Sequence, residues 1–186
     1  MNSGSVVRLA RPQAQLLVVD IQQKLLPLIH DQDSVLRASE TMIRAAHLLG
    51  LPVTLTEQYP QGLGSTHPRL LAALGKQSPM QKMTFSVCGD SDCLTKLNQI
   101  DRPQVLLIGI ETHVCVLQTA LDLLRFGMQP VLLADATSSR RENDRNIALE
   151  RMRMSGVVVT TIESAVFELT HESGTELFKK ILALIK

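Results

Sequence analysis

A cysteine that follows a buried strand is the residue of this sequence best suited to nucleophilic chemistry. Residues 105–108 form a short apolar run typical of a strand, and Gly109 and a polar bend over residues 111–113 come next. Apolar residues then recur at helical spacing, which predicts that Cys115 lies in the first turn of a helix. The unpaired backbone N–H groups there can lower a thiol pKa and hold an oxyanion. Cys115 is therefore a candidate nucleophile, although a free cysteine is also often a plain buried apolar side chain.

Asp20 and Lys82 are of the right types to complete a catalytic set with this thiol. Asp20 ends an apolar run that begins at Gln15, and Lys82 lies at or just beyond a weaker strand-like segment. An aspartate can accept a thiol proton, and a lysine can stabilise the charge that the two groups share. Each residue alone also has an ordinary interpretation, because Asp is favoured as a helix cap and Lys is usually a surface residue. The combination is what points to catalysis.

Alternating strands and helices must position these residues. Strands are predicted near residues 15–20, 53–56, 105–108, 130–134 and 157–161, and residues 82–86 lie at or just beyond a further, weaker strand, the third in the chain. Helices are predicted near 34–49, 68–74, 91–100, 114–124, 142–155 and from 173 onward. This pattern favours one α/β domain over residues 1–186, built in three layers. We expect a doubly wound, mostly parallel six-stranded sheet in the order 3-2-1-4-5-6, with helices on both faces.

In this strand order, strands one and four are neighbours at the point where the order reverses. Ligands of open parallel sheets bind beyond the carboxyl ends of the strands at that point. Asp20 ends strand one, Cys115 follows strand four, and Lys82 emerges at the same edge. The three side chains are therefore predicted to meet in one crevice.

Charge and composition restrict the partners. The chain has 19 Lys and Arg against 18 Asp and Glu, so no strong charge attracts nucleic acid or an anionic membrane. No apolar run approaches the roughly 20 residues that a bilayer requires, and residues 1–12 lack the apolar core of a signal peptide. We therefore expect a cytoplasmic protein with a small-molecule substrate and without nucleic-acid or membrane partners.

The cysteines fit reduced thiols better than disulfides, because there are three of them without a regular spacing. Cys88 and Cys93 are close in sequence, but no second pair or histidine cluster completes a zinc ligand set. We expect no metal site there.

Three motifs together resemble those of the isochorismatase-like cysteine hydrolases, a superfamily that includes nicotinamidases and N-carbamoylsarcosine amidohydrolase. They are Val19-Asp20-Ile21-Gln22, Lys82 with the following Phe85-Ser86, and Gly109-Ile-Glu-Thr-His-Val-Cys115-Val. The run from Glu57 to Gly64, Glu-Gln-Tyr-Pro-Gln-Gly-Leu-Gly, looks closer still to the isochorismatase-domain-containing subgroup. The resemblance covers about residues 13–168.

The resemblance implies a role for each matched residue. Asp20 would take the thiol proton from Cys115, and Lys82 would hold the Asp20 carboxylate. Cys115 would attack a carbonyl carbon and form a thioester that water hydrolyses. A cis peptide bond is implied between Ile110 and Glu111, with the amide N–H groups of Glu111 and Cys115 forming an oxyanion hole. Members of the family are commonly homo-oligomers, which implies the same here.

The sequence also departs from part of the family. Nicotinamidases hold a metal through an Asp-x-His arrangement after the second strand, whereas residues 56–59 here read Thr-Glu-Gln-Tyr and His67 stands alone. We therefore expect no metal or other cofactor, and a substrate other than nicotinamide. True isochorismatases cleave a vinyl ether and do not depend on the cysteine, so Cys115 favours acyl chemistry.

Residues that could line a substrate pocket are less specific. Gln22, Tyr59 and Phe85 are the candidates, each with packing or solvent exposure as an alternative. The Glu111 side chain could repel an anionic substrate or bond locally, and His113 ranks below Asp20 as a base.

The prediction is a metal-independent cysteine hydrolase that cleaves a small amide or a related carbonyl compound. Basic residues from Arg140 onward are interpreted as a solvated helix face. Two alternatives stay open: a vinyl-ether hydrolase that retains activity without Cys115, and a non-catalytic scaffold. A nucleotide-binding Rossmann protein is disfavoured, because no Gly-x-Gly-x-x-Gly follows strand one.

Overall fold

A fully parallel sheet forms the centre of the computed structural model, which describes residues 7–186. Its strands are β1 (Ala14–Val19), β2 (Val53–Gln58), β3 (Met80–Lys82), β4 (Gln104–Ile110), β5 (Gln129–Ser138) and β6 (Val158–Thr160). Their order is β3-β2-β1-β4-β5-β6, which confirms the predicted topology. Because β1 pairs with both β2 and β4, the strand order reverses beside it.

Helices cover both faces of the sheet, as predicted. Along β1, Leu16 and Val18 belong to one hydrophobic cluster and Leu17 and Val19 to another, as the alternation of strand side chains requires. The first cluster includes residues of α1 (Gln32–Leu49), α3 (Pro68–Leu74), α7 (Ile162–Thr170) and α8 (Glu176–Ile185). The second includes residues of α4 (Ser91–Gln99), α5 (Leu117–Arg125) and α6 (Glu142–Met154). A short helix, α2 (Pro60–Leu63), follows β2.

Three strands, β2, β4 and β5, are longer than predicted, and their extensions reach the site; β4 continues past residue 108 to Ile110. β2 continues through Gln58, which is in register with Lys82 on β3. β5 continues to Ser138, because an irregularity after Leu107 shifts the register and lets Thr137 pair with Gly109. The polar residues 135–138 resemble an exit loop in sequence, yet they continue the sheet past this bulge.

The C-terminal region differs from its prediction in two ways. Helix α7 was not predicted; it begins directly after β6, and the Thr161 hydroxyl accepts from the Ser164 N–H at its start. Helix α8 begins at Glu176 and not at the predicted residue 173, and the side chain of its cap, Thr175, accepts from the Phe178 N–H. Within residues 7–186, no helix is long and apolar enough to cross a membrane.

Candidate active site

The sheet brings the ends of three strands to one edge. Val19 is in register with Gly109, and Gln58 is in register with Lys82. Asp20 follows β1 in a left-handed backbone conformation (φ 54°), and its N–H donates to the Thr56 carbonyl of β2. The predicted convergence at the carboxyl edge is therefore present in the backbone.

Asp20 and Lys82 form a fully buried ion pair. Lys82 Nζ lies 2.6 Å from Asp20 Oδ2, and the Thr56 hydroxyl donates to Asp20 Oδ1 at 2.8 Å. Burial raises the pKa of Asp20, and the Lys82 charge together with these hydrogen bonds offsets part of that rise. Lys82 Nζ also lies 3.1 Å from the carbonyl oxygens of Thr84 and Phe85. The lysine is therefore held in place as a fixed cation beside the carboxylate.

Cys115 lies in a π-helical turn (Thr112–Val116) that leads directly into α5, which places it at the N-terminal end of that helix. It is only 5% exposed. Burial raises the pKa of its thiol to about 12, and the Asp20 charge adds to that rise, whereas the Lys82 charge and the Glu111 backbone N–H oppose it. The expectation of a lowered thiol pKa is therefore wrong for the resting protein, because loss of solvation outweighs the helix terminus and the cation. The resting group is a thiol with a carboxylate base nearby.

The bend before Cys115 is fixed by a neighbouring loop. The peptide bond between Ile110 and Glu111 is cis. The Glu111 carboxylate accepts from both the backbone N–H and the Nε of Arg140, each at 3.1 Å. His113 Nδ1 lies 2.9 Å from the Ser139 hydroxyl. Arg140 is thus not part of a purely solvated basic face, since it binds the residue next to the cis bond.

The predicted pocket residues differ in their surroundings. Gln22 is fully buried, and its amide contacts the Gln58 backbone N–H and carbonyl as well as the Gly64 carbonyl. Tyr59 and Phe85 are both about half exposed. A role of these three residues in substrate binding stays a prediction, and the contacts of Gln22 show that it also holds the end of β2.

Gln58 is a site residue that sequence reasoning missed. Its Oε1 lies 3.4 Å from Cys115 Sγ and 3.1 Å from Lys82 Nζ. The predicted β2 ended at Thr56, which left Gln58 in a loop. The two-residue extension of β2 pairs Gln58 with Lys82 on β3, and this pairing brings the Gln58 side chain into the site.

The residues at the end of β2 do not fit a metal of the nicotinamidase type. Glu57 Oε1 accepts from the Thr66 N–H and hydroxyl, and Gln58 Oε1 faces Lys82 and the thiol. Among residues 7–186, no three His, Cys, Asp or Glu side chains are grouped closely enough to ligate a metal ion.

Comparison with known proteins gives a consistent family match. The model of the isochorismatase domain matches residues 14–164. Isochorismatase family protein 1B of Dictyostelium discoideum is 40% identical over 187 residues, which covers 98% of this chain and 90% of that protein.

Two solved structures are similar throughout. The MAR1 ribonuclease from Caenorhabditis elegans has 37% identity and a TM-score of 0.90, and the match covers 96% of this chain and 92% of that one. YcaC from Pseudomonas aeruginosa, solved with hexane-2,5-diol and covalent acrylamide, has 25% identity and a TM-score of 0.90, with 98% and 93% covered.

Proposed function

Because the chain belongs to the isochorismatase family, we propose that it is a metal-independent cysteine hydrolase that cleaves a small amide or a related carbonyl compound. The observation that carries this proposal is the buried Asp20–Lys82 pair, 2.6 Å apart, close enough to Cys115 for both charges to act on its thiol. A carboxylate, a fixed cation and a thiol at a helix start are the parts that acyl transfer through sulfur requires.

The first half of the reaction forms a thioester. Asp20 takes the proton from the Cys115 thiol as the sulfur attacks the carbonyl carbon, and the carbonyl electron pair becomes an oxyanion. The backbone N–H groups of Glu111 and Cys115 are the proposed donors to that oxyanion, each worth roughly 3 kcal/mol in comparable sites. When the intermediate collapses, the carbon–nitrogen bond breaks, and Asp20 returns the proton to the leaving amine.

The second half releases the acid. Asp20, again a carboxylate, takes a proton from a water that attacks the thioester carbon. The carbon–sulfur bond then breaks, and the proton passes from Asp20 back to Cys115. Throughout both halves Lys82 keeps Asp20 oriented and compensates its charge, since its contacts with Asp20, Thr84 and Phe85 leave it little freedom to move.

The covalent acrylamide recorded for the Pseudomonas aeruginosa relative supports a nucleophile in this fold. Acrylamide is an electrophile that adds readily to thiolates, and it carries a primary amide. It is also small, which suits a site in which Cys115 is only 5% exposed. These properties favour compact, unbranched amides as the first substrates to test.

The test is a screen of small primary amides and N-carbamoyl amino acids, with ammonia release as the readout, on wild type and Cys115→Ser. We expect the substitution to lower turnover by roughly 10³-fold or more, because the nucleophile is lost. An acyl-enzyme seen by intact mass in the wild type, and absent from the variant, would identify the thioester. Ammonia release that persists in Cys115→Ser would reject the thiol mechanism.

The Cys115→Ser variant also distinguishes between the alternative functions. A vinyl-ether hydrolase of the isochorismatase type would keep its activity without Cys115. RNA hydrolysis is a second candidate because of the 37% identity to the Caenorhabditis elegans ribonuclease. The near balance of 19 basic and 18 acidic residues offers no strong phosphate attraction, so RNA ranks second. If Cys115→Ser still cleaves RNA, RNA hydrolysis becomes the preferred function. If neither protein acts on any of these compounds, the non-catalytic scaffold is favoured.

The proposal includes a cytoplasmic setting, where thiols stay reduced, and self-association. Ile147 and Met154 on α6 are 57% and 82% exposed, and large exposed apolar side chains of this kind are common at subunit interfaces. Light scattering coupled to size-exclusion chromatography measures the assembly directly. A monomer at micromolar concentration would reject this part of the proposal.

A further inference from the structure

Gln58 lies between the lysine and the cysteine of the site, and its amide orientation is fixed by chemistry. Lys82 Nζ can only donate, so the atom 3.1 Å from it must be the amide oxygen, Oε1. The Met83 carbonyl can only accept, so the atom 3.1 Å from it must be Nε2. The same Oε1 lies 3.4 Å from Cys115 Sγ. With the proton on the sulfur, that contact is a hydrogen bond donated by the thiol, and the Asp20 carboxylate is the second acceptor close to the same proton.

Lys82 does not need this oxygen. Its ammonium has three N–H bonds and four acceptors within 3.1 Å, which are Asp20 Oδ2, Gln58 Oε1 and the carbonyls of Thr84 and Phe85. Without Gln58, three acceptors would still match three donors. The placement of a buried amide at this point is explained better by the thiol than by the lysine.

We propose that Gln58 is the resting partner of the nucleophile: its side-chain oxygen binds the neutral Cys115 thiol, aims the sulfur, and keeps the proton on it until Asp20 removes it. The proposal rests on the proposed function, in which Cys115 attacks the substrate.

The physical reason is that an amide oxygen accepts hydrogen bonds and cannot donate them. It stabilises S–H, but a thiolate would face the lone pairs of Oε1 at a similar distance and be repelled. The thiolate would then form only when the proton has moved from Sγ to the Asp20 carboxylate. A site arranged in this way holds an unreactive thiol between turnovers and activates it beside the base.

Two substitutions of Gln58 test this proposal with opposite expected signs. Gln58→Met keeps the side-chain length but removes the acceptor, so at a fixed mildly alkaline pH Cys115 should react with iodoacetamide roughly 3 to 10 times faster. Gln58→Glu keeps the acceptor and adds a negative charge, so the same reaction should be about 10 times slower or more. Peptide mapping separates Cys115 from Cys88 and Cys93. Both variants lose the bond from Nε2 to the Met83 carbonyl, so a loosened site would change both rates in the same direction.

The matched control is Gln15→Met. Gln15 is also fully buried, but it lies near the start of β1, and its amide donates to the Leu97 and Arg102 carbonyls. Its substitution should leave the Cys115 rate within about twofold of the wild type, because no contact links it to the thiol.

Opposite shifts in the two Gln58 variants, with an unchanged control, would support the proposal. Shifts in the same direction, or no change in either variant, would overturn it. The assay measures the thiol and not hydrolysis, so an unsuccessful amide screen does not affect this result. Conversely, if the Cys115 alkylation rate is unchanged in both Gln58 variants, the proposed function is still tested independently by the loss of turnover in Cys115→Ser.

Discussion

Gly109 on β4 lies directly opposite Val19 on β1, and the two backbones are so close that a β-carbon at Gly109 would lie 2.1 Å from the Val19 carbonyl oxygen. Asp20 follows Val19 in the chain, and the turn that carries Cys115 follows Gly109 by a few residues. The close approach of these strands therefore sets the distance between the base and the nucleophile. Gly109 also has a φ of 135°, which other residues rarely adopt.

Gly109→Ala should lower the free energy of unfolding by about 3 kcal/mol or more, because it combines a steric clash with an unfavourable backbone conformation. The clash is with backbone atoms, which cannot rotate away as a side chain can. Urea unfolding followed by circular dichroism measures the loss.

Gly127→Ala is the matched control for that prediction. Gly127 also has a positive φ, 78°, but a β-carbon there would meet no atom within 4 Å. Its substitution should lower the free energy of unfolding by only about 1 to 2 kcal/mol, which is the cost of a left-handed conformation without a clash. Equal losses in the two variants would mean that the contact with Val19 is not what requires glycine at position 109.

Much of the site could be predicted because it follows from where buried strands end. Short apolar runs locate β1 and β4, and a parallel sheet places their carboxyl ends at one edge, so Asp20 and Cys115 could be assigned to that edge from sequence. Lys82 is harder, since β3 has only three residues and its apolar pattern is weak. Its assignment therefore rested on its residue type and on a weak strand-like segment, and the motif resemblance supported it.

The remaining features depend on contacts between residues that are distant in sequence. No local pattern links Glu111 to Arg140, and the bulge that extends β5 is visible only in its pairing with β4. The thiol pKa was predicted with the wrong sign for a related reason. The helix start is a local feature that sequence shows, whereas the burial that dominates is made by the whole fold.

Asp20→Asn should separate thiol reactivity from catalysis. After burial, the Asp20 charge is the largest contribution that raises the pKa of Cys115, so its removal should lower that pKa and speed alkylation at a fixed pH by roughly 10-fold or more. Turnover of any amide found in the screen should be lost, because no base remains. The measurement is the Cys115 alkylation rate beside ammonia release. Slower alkylation in the variant would show that Asp20 assists thiolate formation at rest instead of opposing it.

Stability should fall at alkaline pH because buried thiols resist ionisation. Burial raises the pKa of Cys93 from 9.0 to about 12. Between these values the unfolded chain releases the proton before the folded protein does, so the stabilising contribution is complete below pH 9 and is lost as the pH rises towards 12. For one such group the loss is about 1 kcal/mol at one pH unit above the unfolded value.

Cys93→Ala should therefore flatten the alkaline part of a plot of unfolding free energy against pH. Urea unfolding under reducing conditions, from neutral pH to about one unit above the unfolded thiol pKa, gives this plot for both proteins. The difference between them isolates one thiol, since the other titrating groups are shared. Parallel curves would mean that Cys93 ionises as readily in the folded protein as in the unfolded chain.

Substitutions of Glu111 and of Arg140 should lower the free energy of unfolding by different amounts, because one partner of this ion pair is buried and the other is not. The side chain of Glu111 is 8% exposed and that of Arg140 is 58% exposed. Arg140→Ala should cost at most about 1 kcal/mol, since the exposed ion pair is weak and the backbone N–H of residue 140 still donates to the carboxylate. Glu111→Leu should cost about 1 to 3 kcal/mol, because it leaves that N–H without its acceptor.

Glu111→Leu should also lower the turnover of a substrate found in the screen more than Arg140→Ala does, since the proposed oxyanion donor is the Glu111 amide. Urea unfolding and ammonia release measure the two effects, and equal losses in both variants would show that the guanidinium, and not the backbone N–H, holds Glu111 in place.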